Sequence, residues 1–181
     1  LVDKGKRVFL DAKLLDISNT VERSVARVAE LGATLLTVHG HDMQTLRAGV
    51  TGRGDSQVKL LAVTVLTNLT GGDLSEQGIT MSPEDLVLHR TKLAKEAGFD
   101  GVIASGQEAA AVRTATKACF LIVSPGIRLP GSSAGDLQRI MTPQHAIAAG
   151  ANHIVVGRPI NAASDPRFAA ATFVKHIAEA S

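Results

Sequence analysis

The sequence predicts an α/β protein built on parallel strands, and three observations carry that prediction. Six short runs rich in β-branched residues alternate with helix-forming stretches. The runs are apolar on both parities, as strands covered by helices are. Gly32, Gly98 and Gly150 each end a helical stretch and lead through Ala33, Phe99 and Ala151 into the next run, the junction expected of repeated βα units.

The strands are expected at residues 8–11, 34–39, 58–66, 101–105, 120–124 and 153–157. Helices are expected at residues 20–31, 43–49, 83–97, 107–117, 143–149 and 166–180. In the first helix Val21, Val25, Val28 and Leu31 recur at helical spacing. Pro83, Pro143 and Pro166 stand near helix starts behind the N-cap residues Ser82, Thr142 and Asp165. Six βα units in series fit either a doubly wound open sheet or a (β/α)8 barrel with two units missing. No linker, low-complexity tract or charge block marks a second domain, so residues 1–181 read as one.

Composition narrows the function. A chain of 181 residues, 45% apolar and 20% charged, can bury a sizeable core. Aromatics are 3%, with no Trp or Tyr, which argues against base-stacking platforms, and a net charge of +2 makes no nucleic-acid footprint. Cys119 is the only cysteine; it excludes an internal disulfide, and its apolar surroundings predict a buried structural thiol. No apolar run reaches a membrane span and residues 1–7 are no signal peptide, so a cytoplasmic protein without nucleic-acid or membrane partners is expected.

The densest chemistry lies in Asp11-Ala12-Lys13-Leu14-Leu15-Asp16-Ile17-Ser18-Asn19-Thr20. Asp11 and Lys13 share a face at the C-terminal end of a strand, where barrel enzymes place their chemistry. Asp16 follows in the loop, giving two carboxylates around one ammonium, and Asn19 or Thr20 can cap the next helix. Charges facing inward on a buried strand are costly without a purpose, which weighs against a plain strand-end salt bridge.

Two later loops read as anion sites, Ser124-Pro125-Gly126-Ile127-Arg128 and Gly157-Arg158-Pro159-Ile160. Glycines admit backbone N–H groups to a phosphate, and Arg offers a planar fork of donors. The Gly- and Ser-rich loop at residues 129–139 is a candidate lid beside them. Thr67, Asn68 and Ser105 offer polar groups at strand ends. His39 and His41 resemble a metal pair but lack a third ligand at known spacing, so no metal is expected.

These residues resemble the orotidine 5'-monophosphate decarboxylase family. The match runs through Phe9-Leu10-Asp11-Ala12-Lys13-Leu14-Leu15-Asp16-Ile17-Ser18-Asn19-Thr20, Ala62-Val63-Thr64-Val65-Leu66-Thr67, Ser105-Gly106-Gln107-Glu108-Ala109, Pro125-Gly126-Ile127-Arg128, Ile140-Met141-Thr142-Pro143 and Val156-Gly157-Arg158-Pro159-Ile160, in family order. The resemblance implies a (β/α)8 barrel, a homodimer with shared active sites, no cofactor, and decarboxylation of orotidine 5'-monophosphate to uridine 5'-monophosphate. By it, Lys13 is the proton donor within a charged array with Asp11 and Asp16. Asp16, Ile17 and Thr20 serve the partner's site, Thr67 and Ser105 lie near the nucleotide, and Arg128, Gly157 and Arg158 belong to the phosphate end.

The sequence departs from the family pattern in places. The family carries an Asp and a Lys of the array on two earlier strands, and only ten residues precede Asp11 here, so two N-terminal strands are expected to be missing. Gly135-Asp136 is followed by Leu137, with Gln138 one place late; Gln138 substitutes for the family's phosphate-side Gln or one contact is lost. Ser18 stands where Pro is common, and His41-Asp42-Met43 where small residues are. Two other readings remain open: a magnesium-dependent sugar-phosphate decarboxylase or aldolase of the same superfamily, and a non-catalytic nucleotide-binding barrel. An open-sheet nucleotide module lacks the glycine-rich loop it needs after the first strand.

Overall fold

The computed structural model describes residues 1–131 and 140–179. After a 3-10 turn (Val2–Lys4) the elements run β1 (Phe9–Leu14), α1 (Ser18–Glu30), β2 (Leu35–His39), α2 (Met43–Arg53), β3 (Lys59–Val63), α3 (Gly71–Glu76), α4 (Pro83–Ala97), β4 (Gly101–Ile103), α5 (Ala109–Ala115), β5 (Leu121–Ser124), α6 (Pro143–Ala148), β6 (His153–Ile154), α7 (Arg158–Asn161) and α8 (Pro166–Ala178). Two compact units divide the chain: Leu1–Thr64 with Leu88–Ile103, and Val65–Val87 with Ala104–Ser181.

In the first unit β1, β2, β3 and β4 pair in chain order, every pair parallel. This unreversed order is the progression of a (β/α) barrel and not of a doubly wound sheet, whose order reverses at its switch point. The register aligns Thr37 with Leu61 and Gly101, and His39 with Val63 and Ile103. The alternate residues Leu36, Val38, Leu60 and Ala62 are fully buried, each large aliphatic side chain contributing about 1.5–3 kcal/mol on burial. Val21, Val25 and Val28 supply the buried stripe of α1, while Leu31, expected with them, is exposed beyond the helix end. Helix α2 approaches α1 so closely that a Cβ at Gly52 would lie 2.2 Å from the Glu22 carbonyl oxygen, so only glycine fits. Asp100 joins two elements by accepting from Arg53 at 2.8 Å and from the Leu60 N–H at 2.9 Å.

In the second unit β5 and β6 pair in parallel around a core that includes Ile122, Val123, Ile127, Val112, Ala146 and Phe173. Arg113 of α5 ties this unit together, donating to the carbonyls of Phe120 and Gly150 and to Asn152 Oδ1. Asn152 Oδ1 also accepts from the Ile122 N–H at 2.8 Å.

The expected caps form at Ser82, Thr142 and Asp165, whose side-chain oxygens accept from the N–H groups of Asp85, His145 and Phe168. Gly32, Gly98 and Gly150 take positive φ at their helix ends, as the junctions require. Neither Asn19 nor Thr20 caps α1: the helix begins at Ser18 behind Ile17, without a side-chain cap, and both residues lie inside its first turn. The expectations missed α3, although Thr70 and Asp73 form a reciprocal capping box at its start. Cys119 is exposed, because it sits in the turn between α5 and β5 and not in the strand itself.

Candidate active site

The expected charge pair forms at the end of β1. The Lys13 ammonium donates to Asp11 Oδ2 at 2.5 Å. The backbone there leaves regular strand geometry: register jumps from Leu10↔Leu36 to Leu14↔Val38, and Lys13 takes φ 49°, the sole positive φ among described non-glycine residues. Such a conformation costs on the order of 1–3 kcal/mol and persists only where surroundings hold it. The hold here is Thr37 of β2, fully buried. Its hydroxyl accepts from the Lys13 N–H at 2.9 Å and donates to Asp11 Oδ1 at 2.9 Å. Both oxygens of Asp11 are thus engaged as acceptors.

Two expectations change at this point. The pair does not face a dry interior: the side chains of Lys13 and Asp11 are 38% and 42% exposed, because β1 is the edge strand of the described sheet, paired with β2 alone, and Leu10, Asp11 and Ala12 are all exposed along it. Nor, among the described residues of one chain, do two carboxylates surround the ammonium. Among the described residues Lys13 has one ion pair, to Asp11; Asp16 lies exposed in the β1–α1 loop, its Oδ1 accepting from the Ile17 N–H at 2.7 Å. Ile17 beside it is 73% exposed, and Thr20 lies on the outer face of α1, where with Asn19, Arg23, Ser24 and Arg27 it lines a shallow concavity that includes neither Asp11 nor Lys13.

Next to the pair stands a group that the sequence marked only as an incomplete metal site. His39 ends β2, and its ring stacks on His41 with centroids 4.7 Å apart. Burial, then the charges of His41, Arg90 and Lys13, hold His39 down at about 4 against an opposing pull from Asp11. Burial and Arg90 likewise lower His41. Both rings are therefore neutral near pH 7. Among the described residues no group of three or more His, Cys, Asp or Glu side chains is placed to hold a metal ion. Arg90, buried on α4, donates to the Thr64 carbonyl, and the Thr64 hydroxyl donates to the Ile103 carbonyl at 2.6 Å. Thr37, Thr64 and Arg90 were not singled out in the sequence. Their signal is polar residues within apolar strand and helix patterns, which spacing alone does not connect to Lys13.

The remaining candidates belong to the second unit. Ser105 is buried, and its hydroxyl accepts from the Gln107 N–H at 3.1 Å, shaping the turn before α5. Thr67 is half-buried beyond β3. Arg128 follows Gly126, which has φ 77°; its N–H donates to the Met141 carbonyl and its guanidinium to the Ile127 carbonyl at 2.8 Å. Gly157 precedes α7, with its carbonyl accepting from the N–H groups of Ile160 and Asn161, and exposed Arg158 opens that helix. Gln138 and all but the first three positions of the expected lid lie outside the described residues. No helix among the described residues is long and apolar enough to cross a membrane.

The sequence profile of the orotidine 5'-phosphate decarboxylase / HUMPS family matches residues 1–173. An orotidine 5'-phosphate decarboxylase of Rhodopseudomonas palustris (strain HaA2) is 52% identical over 180 residues, covering 99% of this chain and 76% of the relative. The crystal structure of orotidine 5'-phosphate decarboxylase from Lactobacillus acidophilus superposes with a TM-score of 0.83 at 38% identity, over 97% of this chain and 77% of that one. The same enzyme from Pyrococcus horikoshii OT3 gives 0.70 at 28% identity, over 96% and 75%.

Proposed function

The chain belongs to the orotidine 5'-phosphate decarboxylase / HUMPS family, and on that premise we propose that it decarboxylates orotidine 5'-monophosphate to uridine 5'-monophosphate, a step of de novo pyrimidine biosynthesis in the cytoplasm. The observation that carries this reading is the Asp11–Lys13 pair, clamped beside a buried hydroxyl with Lys13 in a left-handed backbone conformation.

The chemistry follows from charge placement. The bond between the pyrimidine ring and its carboxylate breaks, CO2 departs, and the electron pair remains on the ring carbon. The Lys13 ammonium stabilises that developing charge and then gives the carbon a proton, leaving a neutral amine that regains its proton from water. Asp11 holds the ammonium in place before the substrate arrives, so little reorganisation is left for the reacting step. No cofactor has a part in this scheme. Arg128, Gly157 and Arg158 take the phosphate, whose binding energy far from the reacting carbon is used at the transition state; Thr67 and Ser105 lie near the nucleotide, and Gln138 is assigned to the phosphate side.

Asp16, Ile17 and Thr20 serve the active site of a second copy in a homodimer. Support comes from Asp16, which makes no ion pair with Lys13 among the described residues, and from Leu15 and Ile17, which stand exposed on either side of it. A sugar-phosphate enzyme of the same superfamily would depend on magnesium. The test is turnover of orotidine 5'-monophosphate and of a hexulose 6-phosphate, each with EDTA and with magnesium. Nucleotide turnover in EDTA is expected; sugar-phosphate turnover that needs magnesium, with the nucleotide untouched, would replace this reading.

A further inference from the structure

We propose that Thr37 is the positioning residue that sets the reacting ammonium of Lys13, an inference that rests on the decarboxylase reading of the β1 site. The directions of its hydrogen bonds are fixed by chemistry. A backbone N–H can only donate, so the Thr37 hydroxyl accepts from Lys13 at 2.9 Å. Its single proton is then free for Asp11 Oδ1, also at 2.9 Å. The other oxygen of Asp11 accepts from the Lys13 ammonium. One hydroxyl therefore closes a ring through the backbone of Lys13, the carboxylate of Asp11 and the side chain of Lys13.

The sheet has no need of that hydroxyl. Thr37 aligns with Leu61 and Gly101, so a β-branched apolar residue would suit the row. The irregular stretch of β1 does need it. Where register jumps, the Lys13 N–H turns to a side chain in place of a strand carbonyl. The branched side chain is stiff at χ1, so the oxygen is fixed by β2 before any ligand binds. Thr37 is itself 0% exposed; it meets no substrate and acts only through its two neighbours.

The experiment compares Thr37→Val, which keeps the shape and removes the hydroxyl, with Thr37→Ser, which keeps the hydroxyl. Steady-state kinetics on orotidine 5'-monophosphate is read beside hydrogen exchange at the Lys13 amide. Thr37→Val is expected to lower kcat by about 30-fold or more, as a misplaced reacting group does, with KM within about 3-fold. Thr37→Ser is expected to stay within about 5-fold of the unaltered protein. The Lys13 amide loses its protection in the Val variant alone, while the β2–β3 amides keep theirs. An unchanged kcat with a still-protected Lys13 amide overturns the proposal. So do equal losses in both variants with exchange rising across the whole sheet, which would make Thr37 a packing residue. If the unaltered protein does not turn over the nucleotide, the decarboxylase reading fails, and the Lys13 amide still decides whether the clamp exists: protection lost only in Thr37→Val supports it, protection kept refutes it.

Discussion

Lys13 is held where an unsupported lysine would not stay, and its neighbours explain both its geometry and its surroundings. The Asp11–Lys13 pair was legible in the sequence because both residues fall on one parity of a short strand. Thr37, Thr64 and Arg90 were not, because their part depends on which strand lies beside which and in what register. The neutral state of His39 was equally hidden, since it arises from burial and from Arg90, a residue far along the chain. It has a consequence for stability. The folded protein resists protonating His39 down to about pH 4, whereas the unfolded chain takes up that proton near 6.5. This contribution is complete above about pH 6.5 and is lost as pH falls from there towards 4, and His41 shifts in the same direction. Allowing for partial solvent exposure, a loss of order 1 kcal/mol is expected. Denaturant midpoints at pH 7 and pH 5 measure it, and His39→Gln should shallow the decline; an identical decline in the variant would assign it elsewhere.

Among the elements, the packing of α1 on α2 depends on Gly52. Alanine there would gain helix propensity, but its Cβ would meet the Glu22 carbonyl, which cannot move aside as a flexible side chain can. Gly52→Ala is expected to destabilise the protein by about 1–3 kcal/mol, the range for overpacking, read as a lowered thermal midpoint; an unchanged midpoint would mean that the helices separate freely. The helix starts at Pro83, Pro143 and Pro166 were readable because Pro and its preceding cap act locally. Apolar composition predicts strands at residues 58–66 and 153–157, but β3 and β6 end at Val63 and Ile154, because that composition continues past the last ladder bond into the loops that carry Thr67 and Gly157. Helix α3 was missed because its glycine-rich start hid a capping box formed by Thr70 and Asp73.

For the whole molecule, the family and the likeness to solved relatives over nearly all of this chain agree with the barrel progression of the first unit. The alternation of βα units was legible because parallel strands leave an apolar signature on both parities; the choice of barrel over open sheet was legible only through the family resemblance, since alternation alone does not fix strand order. A shared active site makes a specific prediction. Lys13→Ala and Asp16→Ala chains, each inactive alone, should on mixing recover about one quarter of full activity, because half of random dimers are mixed and each mixed dimer has one intact site. No recovery would assign Asp16 to its own chain's site or to none. The most direct test of the whole reading is turnover of orotidine 5'-monophosphate in EDTA by the unaltered protein beside Lys13→Ala. Metal-independent loss of substrate absorbance, reduced by at least about 1,000-fold in the variant as expected for removal of a transition-state charge partner, agrees with Lys13 as the proton donor. Equal rates in the two proteins would contradict it.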